Sequence, residues 1–439
     1  MTRSAMSDLY QWKNSRHQKP LIIRGARQVG KTWLMKEFGK SAYQNTVYVN
    51  FDSNKRMEEL FSVDLDTERL IMGLELYSGQ KIDPANTLLI FDEVQEVPKA
   101  LTSLKYFNEN APQYQILCAG SLLGVALHHG TSFPVGKVEF LDLYPLSLFE
   151  FMAALGKERF IEPLSSGDSD MASHFRQEYV DLLKQYYYVG GMPEAVLRFS
   201  DGKDWGEVRE VQERILAAFD QDFSKHAPNE IVPRIRMLWG SIPSQLAREN
   251  KKFIYGLVRA GARAREYELA LQWLIDCGLA YKVHRIAAPQ IPPIAYMDLS
   301  AFKLFMVDVG LLSCMSGLKP DTLLDGNALF KEFKGALSEQ YVLQQIKSQK
   351  QLSAWYWTNE RNTSEIDFIV YDGHSVVPVE VKAEINLQSK SLKAYRDRFS
   401  PPLSVRTSMA GYKKEGWLLN LPLYAIGTLA QQIVEIQAH

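Results

Sequence analysis

The stretch LIIRGARQVGKTWLM, residues 21–35, constrains the fold most strongly. It places a short apolar run before a glycine-containing loop, and the pattern of a helix follows. The loop fits the spacing G-x-x-x-x-G-K-[ST], with Gly25, Gly30, Lys31 and Thr32 at the fixed positions. In such a loop the backbone N–H groups surround phosphate oxygens at the start of a helix. The stretch therefore predicts a buried strand, a phosphate-binding loop and a helix, in that order.

A second apolar run, TLLIFDEVQEVPKAL at residues 87–101, supplies the carboxylates that a nucleotide site needs. Its apolar part predicts a buried parallel strand that ends at Asp92 and Glu93. Asp92 is then placed to hold Mg2+, and Glu93 to act as the base for an attacking water. An acidic pair after a strand can also cap a helix, but the phosphate loop favours the catalytic interpretation. Glu93 also favours hydrolysis over phosphoryl transfer to a small molecule.

Each residue of the loop receives a role from this interpretation. Lys31 is expected to reach the β- and γ-phosphates, and Thr32 to offer its hydroxyl to Mg2+. The residues predicted to bind ATP are Gly25, Ala26, Arg27, Gln28, Val29, Gly30, Lys31, Thr32, Trp33 and Asp92. Lys31 and Glu93 are the predicted catalytic residues, and Thr32 and Asp92 the predicted Mg2+ ligands.

Two further strands are expected between and after these runs, in NTVYVNFD and YQILCAGSLLGVAL. Ser121 falls at the turn after the second of them. A polar residue there either senses the γ-phosphate or caps the next helix, and the sequence favours neither.

Five segments in this order, GARQVGKT, LLIFDEVQ, CAGSLL, LYPLSLFEF and YYYVGGMPEAV, give the chain a resemblance to a known family. It resembles prokaryotic AAA+ ATPases in which a domain of uncharacterised function follows the ATPase. The resemblance implies ATP and Mg2+ as cofactors, and a sensor role for Ser121 among the catalytic residues. Many members carry an arginine before LYPLS where this chain has Lys137, so the arginine finger stays unassigned.

The middle of the chain is predicted to be helical. Apolar residues at helical spacing follow the ATPase core, and then three helices precede a strand pair, as in a winged helix. This region carries the densest basic character in the chain, from Arg248, Lys251, Lys252, Arg259, Arg263 and Arg265. Such residues either contact DNA or are merely solvated. The segment AFKLFMVDVGLLS, another signature of the resembling family, is read as the end of this module.

The last part of the chain predicts a helix, a strand, a hairpin and a helix. A hairpin centred on the turn DGH pairs positions whose numbers add to 747, so Asp367 opposes Glu380. Opposed like charges destabilise a sheet, which suggests a cation between them. Lys382 lies on the same face as Glu380 and could polarise a water beside that cation.

This constellation resembles the PD-(D/E)xK nuclease superfamily, with Glu339 on the first helix as the remaining acidic residue. The resemblance implies a metal held by Glu339, Asp367 and Glu380, with Lys382 as a catalytic residue. A solvated hairpin with an ordinary salt bridge and a nuclease fold that only binds are the alternatives.

Composition sets the remaining limits. The net charge of −1 gives no global basic field, so DNA contact would require a local patch. The three cysteines are too scattered for a disulfide framework. The chain shows neither a signal peptide nor an apolar run long enough for a membrane span, so we expect a cytoplasmic protein.

These inferences combine into an α/β fold with four domains. The expected domains are residues 1–157, a P-loop ATPase core; 158–228, a helical lid; 229–325, a winged-helix module; and 326–439, a restriction-endonuclease-like domain. The expected function is an Mg2+-dependent AAA-type ATPase coupled to a nuclease-like domain that acts on DNA, with homo-oligomers possible. The alternative is a regulatory ATPase whose last domain docks a partner without catalysis.

Overall fold

The computed structural model describes residues 1–120, 133–248, 251–324, 331–359, 363–385 and 388–437. The chain forms two compact units. The amino-terminal unit comprises Thr2–Tyr144 with Asp276–Gly278, and the carboxy-terminal unit comprises Pro145–Ile275 with Leu279–His439. Within the described ranges, no helix has both the length and the apolar character needed to cross a bilayer.

A five-stranded parallel sheet, in the order β2-β3-β4-β1-β5, forms the centre of the amino-terminal unit. Its strands are β1 (Leu21–Arg24), β2 (Asn45–Asn50), β3 (Thr87–Asp92), β4 (Gln115–Ala119) and β5 (Glu139–Asp142). All residues of β3 are buried, as expected for a parallel strand covered on both faces. Since the strands are parallel, β1 and β3 end at the same edge, which brings the phosphate loop close to Asp92.

Helices surround this sheet. They are α1 (Ala5–Lys13), α2 (Lys31–Ala42), α3 (Lys55–Val63), α4 (Thr67–Ser78) and α5 (Pro98–Asn110). Helix α2 begins directly after the loop and buries one face through Leu34, Met35 and Phe38. The predicted strand, loop and helix of residues 21–35 are confirmed, as is the α/β class.

The described chain after residue 144 is mostly helical as far as the second sheet, and further helices lie between and after the strands of that sheet. Its helices are α6 (Leu148–Ala154), α7 (Ile161–Ser165), α8 (Ser169–His174), α9 (Arg176–Val189), α10 (Pro193–Gly202), α11 (Trp205–His226), α12 (Val232–Leu246), α13 (Tyr255–Val258), α14 (Ala264–Asp276), α15 (Val309–Met315), α16 (Pro320–Leu324), α17 (Lys331–Lys347), α18 (Lys390–Phe399) and α19 (Leu429–Gln437). In the described part of the chain, the second of the three helices expected before the strand pair is only the single turn α13. The side chain of Gln245 bonds both the N–H and the C=O of Ile254, directly before this turn.

An eight-stranded mixed sheet has the order β12-β13-β11-β10-β9-β8-β6-β7. Its strands are β6 (Ala280–Ile286), β7 (Met297–Met306), β8 (Ser353–Thr358), β9 (Glu365–Tyr371), β10 (Val376–Val381), β11 (Ser404–Ser408), β12 (Lys413–Glu415) and β13 (Leu418–Pro422).

The strand pair β6–β7, predicted as the wing of a separate module, belongs to this sheet. β6 pairs in parallel with β8, so the expected boundary at residue 325 does not separate two compact bodies. Helix α17 strengthens the connection, because Gln340 bonds both backbone groups of Met306 and Gln344 accepts from the N–H of Val309. Sequence periodicity could not reveal this, since the pairing joins segments that are far apart in the chain.

The hairpin β9–β10 has the predicted register. Val376 pairs with Tyr371 and Val379 with Phe368, so the numbers of opposed residues add to 747. The next positions outward are Asp367 and Glu380. The turn signal DGH therefore predicted the register of the paired residues, and the pairing ends one position before Asp367 and Glu380.

Candidate nucleotide site and acidic pocket

The phosphate loop has the backbone that its glycines permit. Gly25 and Gly30 have φ values of +144° and +93°, and Gln28 also lies in the left-handed region at +65°. A Cβ on Gly25 would lie 2.2 Å from the carbonyl oxygen of Leu143, so only glycine fits there. Ala26 and Val29 are buried, whereas Trp33 is exposed.

The ammonium group of Lys31 lies inside the loop. Its Nζ donates to the carbonyl oxygens of Gly25 and Ala26, at 2.9 and 2.8 Å. Burial lowers the pKa of Lys31 to about 8, although the nearby carboxylates of Glu93 and Asp92 oppose that shift. Lys31 is therefore hydrogen-bonded to the same loop that is expected to bind the phosphates.

Asp92 accepts hydrogen bonds from several elements that form the site. The buried carboxylate accepts hydrogen bonds at Oδ2 from Thr32 Oγ1 (2.7 Å) and the Tyr48 hydroxyl (2.9 Å). Its Oδ1 accepts from the N–H of Glu93 at 3.1 Å. The loop helix and two strands thus position one oxygen-rich corner beside Lys31.

Glu93 leaves the strand with a backbone that side chains rarely adopt. Its φ of +51° precedes the short 3₁₀ helix Val94–Glu96. The amide of Gln95 donates to Glu93 Oε2 at 2.7 Å. The backbone and Gln95 together orient the carboxylate that was predicted as the base.

Two residues of this site were not predicted from the sequence. Tyr48 contacts Asp92, and the signal for it is the pairing of β2 with β3, which puts Asn50 beside Asp92 and Tyr48 one step further back on the same face. Arg3 is buried and donates to the carbonyl oxygens of Val29 (2.9 Å) and Tyr144 (2.6 Å). Nothing local marks Arg3, because its partners lie elsewhere in the chain.

Some predicted groups remain without a described role. Ser121 lies outside the described residues, so neither interpretation of it is tested. Arg27 has interactions of its own. Lys137, at the position of the missing arginine, forms an ion pair with Glu109 at 2.8 Å.

In the carboxy-terminal unit, the carboxylates of Glu339, Glu365 and Asp367 surround the ammonium group of Lys303. We call these three carboxylates the acidic pocket. Lys303 Nζ lies 3.4 Å from Glu339 Oε2 and 3.9 Å from Asp367 Oδ1, and it forms an ion pair with Glu365. A buried cation thus lies between Glu339 and Asp367, two of the three residues predicted to hold a metal.

Lys251 supplies a second ammonium group, which pairs with Glu339. Burial would raise the pKa of Glu339, but Lys251 and Lys303 lower it. Burial and the charge of Glu339 raise the pKa of Asp367 to about 8. Two ammonium groups therefore face three carboxyl groups, and the raised pKa means that Asp367 is the one that keeps a proton at neutral pH.

Glu380 lies on β10, the strand next to β9, which carries Glu365 and Asp367. It is buried, and its Oε1 pairs with Lys382 Nζ at 2.8 Å. Its Oε2 has no hydrogen-bond partner within the described part of the chain. Asp367, in the opposed position, accepts from the N–H of Val381 at 2.8 Å.

The predicted metal set does not form a ready metal centre. Among the described residues, no group of three or more His, Cys, Asp or Glu side chains is arranged to hold a metal ion. Lys303, which separates Glu339 from Asp367, was missed. Its signal is a lysine inside the apolar run AFKLFMV, because a charge in a buried strand needs an opposite charge.

The basic residues of the middle region divide into two groups. Lys251 points into the acidic pocket and does not contribute to a basic surface, whereas Arg259, Arg263 and Arg265 are exposed. In the described ranges these three arginines pair with no carboxylate.

Comparison with known families assigns the chain in segments. Residues 17–152 match an AAA domain. Residues 180–322 and 334–424 match two domains of unknown function, DUF8612 and DUF4143. No curated protein matches the sequence significantly.

Solved structures resemble parts of the chain weakly. The Walker-type ATPase PABY2304 of Pyrococcus abyssi has 13% identity and a TM-score of 0.45, covering 72% of this chain and 95% of that one. The Aeropyrum pernix ORC1 protein, solved in complex with DNA, has 10% identity and a TM-score of 0.29, covering 72% and 93%. Cdc6p of Pyrobaculum aerophilum has 12% identity and a TM-score of 0.25, covering 76% and 93%.

The match over residues 17–152 covers the strand, loop and helix that hold Lys31 and the strand that ends at Asp92. The amino-terminal part of this chain is therefore similar to AAA domains in the segment that forms its phosphate loop.

Proposed function

We propose that the protein hydrolyses ATP with Mg2+ at the loop of its amino-terminal unit and acts on DNA. The observation that carries the ATPase proposal is the 2.7 Å bond between Thr32 and Asp92, with Glu93 directly after Asp92. Lys31 binds the β- and γ-phosphates, and Glu93 accepts the proton of the attacking water.

Mg2+ fits the corner formed by Thr32 and Asp92. Hard cations prefer oxygen ligands, and these two residues present a hydroxyl and a carboxylate side by side. The hydrogen bonds to Asp92 come from hydroxyls and a backbone N–H, so its negative charge stays available to a cation. When bound, Mg2+ neutralises charge on the phosphates.

The variant Glu93→Gln tests the base. The amide keeps the shape of the side chain, so we expect ATP binding to persist while phosphate release falls by roughly 10²- to 10⁴-fold. Glu96→Gln, in the 3₁₀ helix that follows Glu93, is the matched control and should hydrolyse at the wild-type rate. Normal hydrolysis by Glu93→Gln would show that Glu93 only caps the turn.

DNA is the proposed target because of the segment RAGARAR, residues 259–265. Arg259, Arg263 and Arg265 are exposed, and the small residues between them let phosphates approach the backbone. The double variant Arg263→Ala/Arg265→Ala should weaken binding of a fluorescent duplex and reduce its salt dependence by roughly one to two phosphate contacts. Equal binding by this variant and by the exposed control Arg159→Ala would contradict the proposal.

Metal-dependent DNA cleavage is the second candidate function. Glu380 favours it, because its Oε2 has no hydrogen-bond partner among the described residues and its Oε1 pairs with Lys382. A panel of DNA substrates with Mg2+ or Mn2+, compared between wild type and Glu380→Ala, tests it. Cleavage that Glu380→Ala abolishes supports a nuclease, and no cleavage by wild type leaves a domain that docks a partner.

A further inference from the structure

Lys303 is the buried ammonium group that contacts all three carboxylates of the acidic pocket. Its side chain is 0% exposed, so water cannot solvate its charge. Its Nζ also lies 5.1 Å from the centre of the Tyr356 ring. A buried ammonium is tolerated only when it is paired, as it is here by Glu339, Glu365 and Asp367.

The lysine is presented by an otherwise apolar strand. Its neighbours Phe302 and Leu304 on β7 are buried, and Leu304 pairs with Lys282 of β6. The rigid sheet, rather than a flexible loop, therefore fixes the position of the charge.

Both oxygens of Glu339 are engaged by ammonium groups. Oε1 pairs with Lys251 and Oε2 with Lys303. A divalent metal would require oxygens at roughly 2.0 to 2.6 Å. A metal shared by Glu339 and Asp367 would coincide with Lys303 Nζ.

We propose that the ammonium group of Lys303 is the permanent cation of the acidic pocket, and that it takes the place of a divalent metal between Glu339 and Asp367. Two adjacent carboxylates need a compensating positive charge, and Lys303 supplies one that cannot dissociate. The gap between Glu339 and Asp367 accordingly needs no metal to compensate the charge.

The test uses thermal unfolding of the full-length protein without nucleotide, with EDTA or with millimolar Mn2+. Wild type should show no Mn2+-dependent rise of the transition that reports the carboxy-terminal unit. Lys303→Met keeps the length of the side chain but removes its charge, so its Tm should fall by on the order of 10 °C in EDTA. Mn2+ should recover part of that loss, and titration calorimetry should detect an Mn2+ site that wild type lacks.

The matched control is Lys282→Met on the neighbouring strand. Lys282 packs over the ring of Phe302 and forms no ion pair with a described carboxylate, so its loss should change Tm little and create no Mn2+ response. An Mn2+-dependent rise in wild type that Asp367→Asn removes would overturn the proposal. So would a Lys303→Met variant as stable as wild type.

A second variant covers the case in which Lys303→Met fails to fold. Lys303→Met/Glu365→Gln removes one charge of each sign and should recover much of the lost stability. Equal or greater destabilisation in the double variant would show that the lysine acts through packing and not through charge. The EDTA measurements on Lys303→Met and on the double variant do not depend on ATP hydrolysis or DNA cleavage, so the proposal can fail independently of the proposed function.

Discussion

The carboxylate of Asp92 is oriented by side chains from different elements, with Thr32 at the start of α2 and Tyr48 in the middle of β2. Each donor restricts the direction in which the carboxylate presents its charge. The loss of a single hydrogen bond to a charged group is worth about 1.5 kcal/mol, or roughly tenfold in rate.

Tyr48→Phe should therefore retain ATP binding but lower kcat about tenfold, with a higher Mg2+ concentration needed for half-maximal rate. Steady-state phosphate release at varied Mg2+ measures both quantities. Tyr10→Phe, whose exposed hydroxyl contacts Ser41, is the control and should change neither. A Tyr48→Phe variant with lower Tm but unchanged Mg2+ dependence would mean that the hydroxyl is only structural.

At this scale the sequence predicts residues that carry a local pattern and misses those that do not. Gly25 and Lys31 stand in a contiguous motif, because one loop must surround one phosphate chain. Arg3, Tyr48 and Lys303 act through partners far along the chain, and only strand pairing or helix packing reveals those partners.

At the scale of elements, the hairpin β9–β10 concentrates negative charge. Asp367 faces Lys303, Glu339 and Glu365, and Lys251 reaches the same pocket through Glu339. Asp367→Asn removes the excess charge while its amide oxygen can still accept from the backbone. We expect a variant that is more stable than wild type by about 2 kcal/mol at pH 8, measured by denaturant unfolding.

The raised pKa of Asp367 determines whether stability rises or falls with pH. The pKa of Asp367 is raised from 3.8 to about 8 in the folded protein, so the folded state keeps a proton that the unfolded state releases. Wild-type stability should therefore fall as pH rises from about 4 to about 8, and Asp367→Asn should lack that component. An identical pH dependence in the two proteins would mean that Asp367 is an indifferent charge.

The register of this hairpin was predictable because a tight turn fixes every pair outward from it. The membership of β6 and β7 in the same sheet was not, because parallel pairing with β8 leaves no local pattern. Because this pairing leaves no local pattern, the sequence suggested a winged helix, whereas β6 and β7 extend the eight-stranded sheet.

At the scale of the whole molecule, the carboxy-terminal unit is expected to fold as one body. A fragment of residues 326–439 lacks β6 and β7, and with them Lys303. It should therefore show no cooperative thermal transition by circular dichroism, whereas residues 145–439 should unfold in a single sharp transition. Cooperative unfolding of the shorter fragment would restore the boundary expected from the sequence.

The central claim is that ATP is bound and hydrolysed by the loop that contains Lys31. Among the described residues, Lys31 Nζ forms hydrogen bonds with no group other than the carbonyl oxygens of Gly25 and Ala26, so Lys31→Ala should leave Tm nearly unchanged. The most direct measurement is ATP binding by titration calorimetry together with phosphate release, for wild type and Lys31→Ala in the full-length protein. We predict that wild type binds and hydrolyses ATP and that the folded variant does neither. Hydrolysis by Lys31→Ala near the wild-type rate would contradict the account.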